Sequence, residues 1–139
     1  MKVICNQSPV IFNPLGDIVK LALDKDGLIQ YQEVYASFVH SGIIKGWKKH
    51  LRMDLSLVVL VGEIKFVIAE ENANSSSGYA FQEYILSKDQ NNSIFIPHGL
   101  WVAFQGKDPN LNMLLNFANL THDPLEVKSA SIDSIPYKW

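Results

Sequence analysis

Leu55-Ser56-Leu57-Val58-Val59-Leu60-Val61-Gly62-Glu63-Ile64-Lys65-Phe66-Val67-Ile68-Ala69-Glu70 decides the fold class. The part up to Gly62 is almost wholly apolar, which suits a strand buried on both faces. The part after it alternates, placing Ile64, Phe66 and Ile68 on one face. Gly62-Glu63 between them reads as a tight connection. Outward from here the apolar period stays near two. Gln32–His40 alternates and carries aromatic and β-branched residues, so it reads as a strand. Tyr79–Leu86, Ser93–Pro97, Leu100–Gln105 and Leu111–Phe117 read the same way. Asp17–Leu23 is a short β-like run ending in the turn cluster Asp24-Lys25-Asp26-Gly27. Asn72–Gly78 is a polar loop, expected to be mobile, and Lys88–Asn92 is a turn. The tail from Thr121 to Trp139, with Pro124 and Pro136, reads as irregular. There are no long amphipathic helices, internal repeats or interdomain linkers. Many short strands with a turn about every ten residues predict an all-β sandwich or barrel in one domain, 1–139.

Composition agrees. The chain has 139 residues, 47% hydrophobic and only 19% charged, enough for a real core and too little charge for disorder. Fourteen acids against twelve Lys and Arg give a net charge of -2. With no basic run, this argues against nucleic-acid binding. No apolar stretch approaches the roughly 18–20 residues of a membrane helix. The apolar run of Met1–Gln7 is broken too early for a signal peptide. The single cysteine, Cys5, makes no internal disulfide and reads as a small buried hydrophobe. A soluble, cytoplasmic protein is expected.

Three segments carry a resemblance. They are Ser41-Gly42-Ile43-Ile44-Lys45-Gly46-Trp47-Lys48-Lys49-His50, Ile94-Phe95-Ile96-Pro97-His98-Gly99-Leu100-Trp101-Val102-Ala103-Phe104, and His122-Asp123-Pro124-Leu125-Glu126 with Ile135-Pro136-Tyr137-Lys138-Trp139. In order and spacing they resemble "G-V-x-R-G-L-H-x-Q", "W-I-P-P-G-F-A-H-G-F", and "Y-x-P-x-x-E" with a closing "I-x-W". These are motifs of the nucleotide-sugar epimerases typified by dTDP-4-dehydrorhamnose 3,5-epimerase. The resemblance runs from about Gly42 to Trp139. It implies a cupin-type jelly roll, a homodimer, no cofactor, and a site inside the barrel for a nucleoside-diphosphate 4-keto sugar. In length the chain is nearer the sugar 3,4-ketoisomerases, which share the fold and carry "G-F-H-x-H". It departs from the family where Lys48 takes the place of the catalytic histidine and Asn116 falls near that of the partner tyrosine. His50 occupies the second position of "H-x-H".

The chemistry such a site needs is a base for the proton beside a ketone, a cation or donor for the enolate, and an acid for the other face. In a strand, Lys48 and His50 share a face, and Arg52 continues that parity. Trp47, Lys49 and Leu51 lie opposite. If that face lines the barrel, His50 is the leading base and Lys48 its electrostatic partner, while Lys45 and Arg52 contact a diphosphate. Read without the resemblance, the same stripe also suits the solvated face of an edge strand. Tyr35 offers a phenolic proton or fills the core. Asn116 hydrogen-bonds a sugar hydroxyl or satisfies backbone. Trp101, Phe104, Tyr35 or Trp47 stack on a base or pack the barrel. His40 has no assigned role. His98 and His122 read as turn or surface residues, with Asp123 placed to orient His122. A cupin metal site lacks two of its ligands, one of them at Val102, so no metal is expected. There is no G-x-S-x-G, P-loop or G-x-G-x-x-G. The expected activity is epimerisation at C3 and/or C5 in surface-polysaccharide biosynthesis. The alternatives are a 3,4-ketoisomerase and a non-catalytic cupin that binds a sugar nucleotide.

Overall fold

The computed structural model describes residues 2–21 and 31–139. Its strands are β1 (Ile4–Gln7), β2 (Val10–Ile11), β3 (Ile18–Val19), β4 (Glu33–Val39), β5 (Ile44–His50), β6 (Leu55–Val61), β7 (Glu63–Glu71), β8 (Tyr79–Ser87), β9 (Asn92–Ile96), β10 (Trp101–Gly106), β11 (Asn112–Ala118) and β12 (Val127–Ser129). Among the described residues they form two five-stranded antiparallel sheets, β1-β9-β6-β11-β4 and β12-β5-β10-β7-β8. A small hairpin, β2-β3, stands apart from both. The layout is the expected all-β jelly roll. No helix among the described residues is long and apolar enough to cross a membrane.

The opening stretch makes this architecture because its two halves enter different sheets. β6 is central in the first sheet and β7 lies inside the second. The chain changes sheets at Gly62, which has φ +78°. A Cβ there would stand 2.2 Å from the Leu111 carbonyl oxygen, so both backbone angle and space demand glycine. Asn112 fixes the corner. Its Oδ1 accepts from the N–H of Glu63 at 3.0 Å and of Asp108 at 3.0 Å. Its Nδ2 donates to the carbonyls of Val39 at 3.2 Å and Asp108 at 3.0 Å.

The alternation of each strand then sorts the side chains. Leu55, Leu57 and Val59 of β6 meet Ile64, Phe66 and Ile68 of β7, Val102 of β10 and Leu114 of β11 between the sheets. A second cluster covers the outer face of the second sheet, where Trp47, Val67, Ala69 and Ala103 pack under Ile135, Tyr137 and Trp139. The C-terminal segment expected to be irregular therefore supplies the edge strand β12 and a lid of aromatic residues. β1 and β12 have no clear sequence signal because both are short, partly polar edge strands that need not alternate. Within the described part of the expected Asp17–Leu23 run, Ile18–Val19 is strand, paired with β2. The part from residue 22, with its turn cluster, lies outside the described residues. Cys5 is exposed, not buried, because β1 lies at the open edge of the first sheet.

Replacing Gly62 by Ala is expected to cost at least about 1–3 kcal/mol from the positive φ alone, and more from the carbonyl clash. Urea unfolding of G62A measures this, and an unchanged midpoint would show that the corner tolerates a side chain.

Candidate active site

A cavity of about 230 Å³ opens between the two sheets. That is below the roughly 300–1,000 Å³ of ordinary small-molecule sites, so it has room for one small ring, with the rest of a larger ligand outside. One wall is β5 and β10 of the second sheet, contributing Lys45, Lys48, His50, Val102 and Phe104. The facing wall is β4, β6 and β11 of the first, contributing Tyr35, Ser37, Leu55, Leu57, Leu114 and Asn116. His122 and Val127 complete it.

Strand parity alone would send Lys45 and Lys48 to opposite faces. A bulge brings them together. Val102 pairs with Lys48, and Phe104 pairs with Lys45, so three steps along β5 match two along β10. The extra residue restores Lys45 to the inward face, as bulges commonly re-aim a side chain. Trp47 turns outward, is fully buried in the second cluster, and donates its Nε1–H to the Ile132 carbonyl at 3.3 Å. Lys45 and Lys48 stand exposed at the mouth, and among the described residues neither has a carboxylate within ion-pair distance.

His50 is oriented by a residue that sequence reasoning leaves without a role. Its Nδ1 contacts the carboxylate of Glu126, which is only 3% exposed. The other carboxylate oxygen accepts from the backbone N–H of Met53 at 3.1 Å and of Arg52 at 3.3 Å. Burial pushes the Glu126 carboxyl up, but the hydrogen bonds from His50, Met53 and Arg52 outweigh it and hold the group below the ordinary glutamate value. The ionised carboxylate accepts from Nδ1–H, which leaves the lone pair of Nε2 free to take a proton. The only signal for Glu126 in the sequence is its place at the end of the His122–Glu126 segment.

Tyr35 donates its hydroxyl to the Met53 sulfur at 3.4 Å, a weak acceptor. Burial first, then the carboxylates of Glu33 and Glu126, raise the phenol above the ordinary tyrosine value, so it keeps its proton at neutral pH. Asn116 lies directly opposite Tyr35 on the neighbouring strand. Its Oδ1 is buried and, among the described residues, has no hydrogen-bond partner, a condition that costs about 1–3 kcal/mol.

The structure thus gathers Tyr35, Lys45, Lys48, His50 and Asn116 around one cavity, and it leaves out two residues expected there. Arg52 lies past the end of β5, where the chain bends and parity no longer applies. Its side chain is 62% exposed and pairs with Asp123 at 3.2 Å. Trp101 points to the outer face, because Val102 and Phe104 take the inner one. It donates to Glu71 at 3.4 Å, with the Lys49 ammonium 5.1 Å from its ring centroid. Asp123 does not orient His122, since its other oxygen accepts from the Leu125 N–H at 2.9 Å and caps the turn before β12. His122 itself lines the cavity, which sequence reasoning missed. His98 is held by Asp54 at 2.8 Å and lies outside the cavity. Among the described residues no three His, Cys, Asp or Glu side chains are grouped so as to hold a metal ion.

No protein-family model matches the sequence, and no match is found among the curated proteins. Solved structures do match. A dTDP sugar isomerase from Desulfovibrio desulfuricans G20 is 24% identical, with a TM-score of 0.88 over 99% of this chain and 90% of that one. The chain shares their fold. A dTDP-4-dehydrorhamnose 3,5-epimerase from Bacillus anthracis, solved with TDP and PPi bound, is 16% identical with a TM-score of 0.84 over 99% and 84%. A 3'-monoepimerase from Streptomyces bikiniensis, in complex with dTDP-quinovose, is 12% identical with a TM-score of 0.85 over 99% and 74%. The cupin-type jelly roll expected from the three motifs is therefore the fold of this chain.

Because Glu126 ionises more readily folded than unfolded, its contribution to stability is full above the ordinary value of 4.5 and is lost as pH falls through the lowered folded value. The difference in thermal midpoint between wild type and E126Q is expected to narrow steadily as pH drops from about 6 to 3. A difference independent of pH would mean that the carboxylate does not ionise preferentially in the folded chain.

Proposed function

We propose that this chain is a cofactor-independent nucleotide-sugar isomerase. It epimerises a nucleoside-diphosphate 4-keto-6-deoxy sugar at C3 and/or C5, in the cytoplasm, in surface-polysaccharide biosynthesis. The observation that carries this reading is the His50–Glu126 pair, set in a cavity whose mouth carries two lysines with no carboxylate partner among the described residues.

The geometry supports a complete acid–base cycle. The ring enters between the sheets. Nε2 of His50 removes the proton from a carbon beside the ketone, and Glu126 stabilises the imidazolium that forms. The electron pair of the C–H bond becomes an enolate, whose charge meets the Lys48 ammonium on the same wall. Tyr35, on the opposite sheet, then gives its phenolic proton to the other face of that carbon, inverting it. Return of a proton from His50 to Tyr35 through solvent restores the starting state. Lys45 meets the diphosphate at the mouth, and Asn116 meets the sugar. This division of base and acid between facing sheets supports inversion at one carbon. A 3,4-ketoisomerisation would use the same base and cation through an enediol.

The active unit is proposed to be a homodimer. Among the described residues β4 is an edge of the first sheet, and its outward Val34 and Phe38 are 51% and 53% exposed. The β2-β3 hairpin adds exposed Ile11, Phe12, Leu15 and Ile18. Edge strands carrying such apolar groups favour pairing with a second copy.

Proton NMR in D₂O with dTDP-4-keto-6-deoxyglucose is expected to show exchange at C3, C5 or both, with a new sugar isomer. H50N is expected to lower turnover about 10²–10⁴-fold while leaving nucleotide-sugar affinity within about twofold. Binding without exchange across dTDP, UDP, GDP and CDP 4-keto sugars would replace the isomerase with a binding module. Exchange confined to C3 would point to ketoisomerisation or a single epimerisation. In sedimentation velocity, wild type is expected to run as a dimer and F38E as a monomer. A monomeric wild type would end the dimer proposal.

A further inference from the structure

Asn116 is a buried polar side chain of the cavity wall whose carbonyl oxygen finds no partner among the described residues. It is 7% exposed, and it faces inward from β11 among Leu57, Leu114 and Phe104. Its Oδ1 is buried without a hydrogen-bond partner. Tyr35 lies directly opposite on the adjacent strand, and its hydroxyl is directed to the Met53 sulfur instead. A buried amide kept unpaired in an apolar floor is a poor structural choice, because an apolar side chain of similar size would remove the desolvation penalty.

We propose that Asn116 is a specificity residue that accepts a hydrogen bond from a ring hydroxyl of the bound sugar. This rests on the nucleotide-sugar reading above. The two walls then sort the polar groups of the ligand. The second-sheet wall carries Lys48 and His50, so it takes groups that hold or develop negative charge, such as the ketone oxygen. The first-sheet wall offers an unpaired acceptor at Asn116, so it takes a donor. A carbonyl cannot donate, and a deoxygenated carbon leaves the acceptor unpaired. The substrate class narrows to sugars with a free hydroxyl on the ring edge turned away from β5. Sites built around such a contact reject analogues lacking the donor far more strongly than apolar pockets reject a missing methylene.

The test compares dTDP-4-keto-6-deoxyglucose with its 2-deoxy and 3-deoxy analogues, in wild type and N116L, by calorimetric binding and by deuterium exchange. In wild type, one analogue is expected to bind at least about tenfold more weakly than the parent, while the other binds within about threefold. In N116L that difference is expected to vanish, because the parent weakens and the analogue does not. Unliganded N116L is also expected to melt a few degrees higher than wild type, since the orphan acceptor is gone. Lower melting of N116L would mean that Asn116 is structural and would overturn the proposal. So would a discrimination ratio that N116L leaves unchanged. Wild-type discrimination abolished in N116L, without deuterium exchange in either, would uphold the hydroxyl contact and overturn the isomerase reading alone. Exchange with no discrimination would do the reverse. No binding of any of the three sugars would overturn both.

Discussion

The carboxylate of Glu126 is where the C-terminal segment, the end of β5 and the entry to β6 meet. It is buried, so it must be fully hydrogen-bonded, and the three donors it uses come from His50, Arg52 and Met53. Its own carbonyl also accepts from the Leu51 N–H at 2.7 Å. These bonds set the bend that follows β5 and lead directly into β12, which pairs with β5 through Val127, Lys128 and Ser129. One charged group therefore closes the end of the roll and fixes the imidazole beside the cavity. An apolar side chain there would leave the ring of His50 free to turn and its tautomer unselected.

A second constraint determines what the imidazole faces. The bulge in β5 changes strand parity once, between Lys45 and Lys48, and it does so at Gly46-Trp47. Trp47 anchors the change from outside, filling the second cluster under the C-terminal aromatic residues. The result is a cationic wall against a neutral one. The fold alone would not impose that asymmetry, since both sheets alternate apolar and polar residues. It arises from one inserted residue and one outward tryptophan.

The strands that were legible in the sequence are those whose burial imposes a period. β6 and β7 are central or nearly so, and their apolar pattern follows from contact with neighbours on each side. β1 and β12 are edges, where half the backbone groups need no partner and side chains need not alternate. The same logic divides the site. Lys48 and His50 could be placed together by parity, whereas parity sets Lys45 on the opposite face, because the bulge leaves no mark in the sequence. Arg52 was misplaced by extending parity beyond the strand, and Trp101 by ignoring that Val102 and Phe104 already claim the inner face. Glu126 escaped notice because its function depends on a contact with His50, 76 residues away in sequence. Nothing local to Asp123-Pro124-Leu125-Glu126 distinguishes a buried carboxylate from a solvated one.

Asn112 and Asn116 show how far packing alone can explain the polar groups of β11. They are four residues apart on one strand, both are buried, and both sit opposite residues of β4, Val39 and Tyr35 respectively. Asn112 has both amide ends engaged, with backbone partners at the Gly62 corner and in the Asp108 turn. Those partners exist because the chain leaves the sheets there and exposes unpaired N–H and C=O groups. Asn116 sits mid-strand, where the ladders to β4 and β6 already use the backbone groups around it. A fold seeking only stability has a use for the first amide and none for the second. That difference is the ground for the proposal that the partner of Asn116 belongs to a ligand and not to the protein.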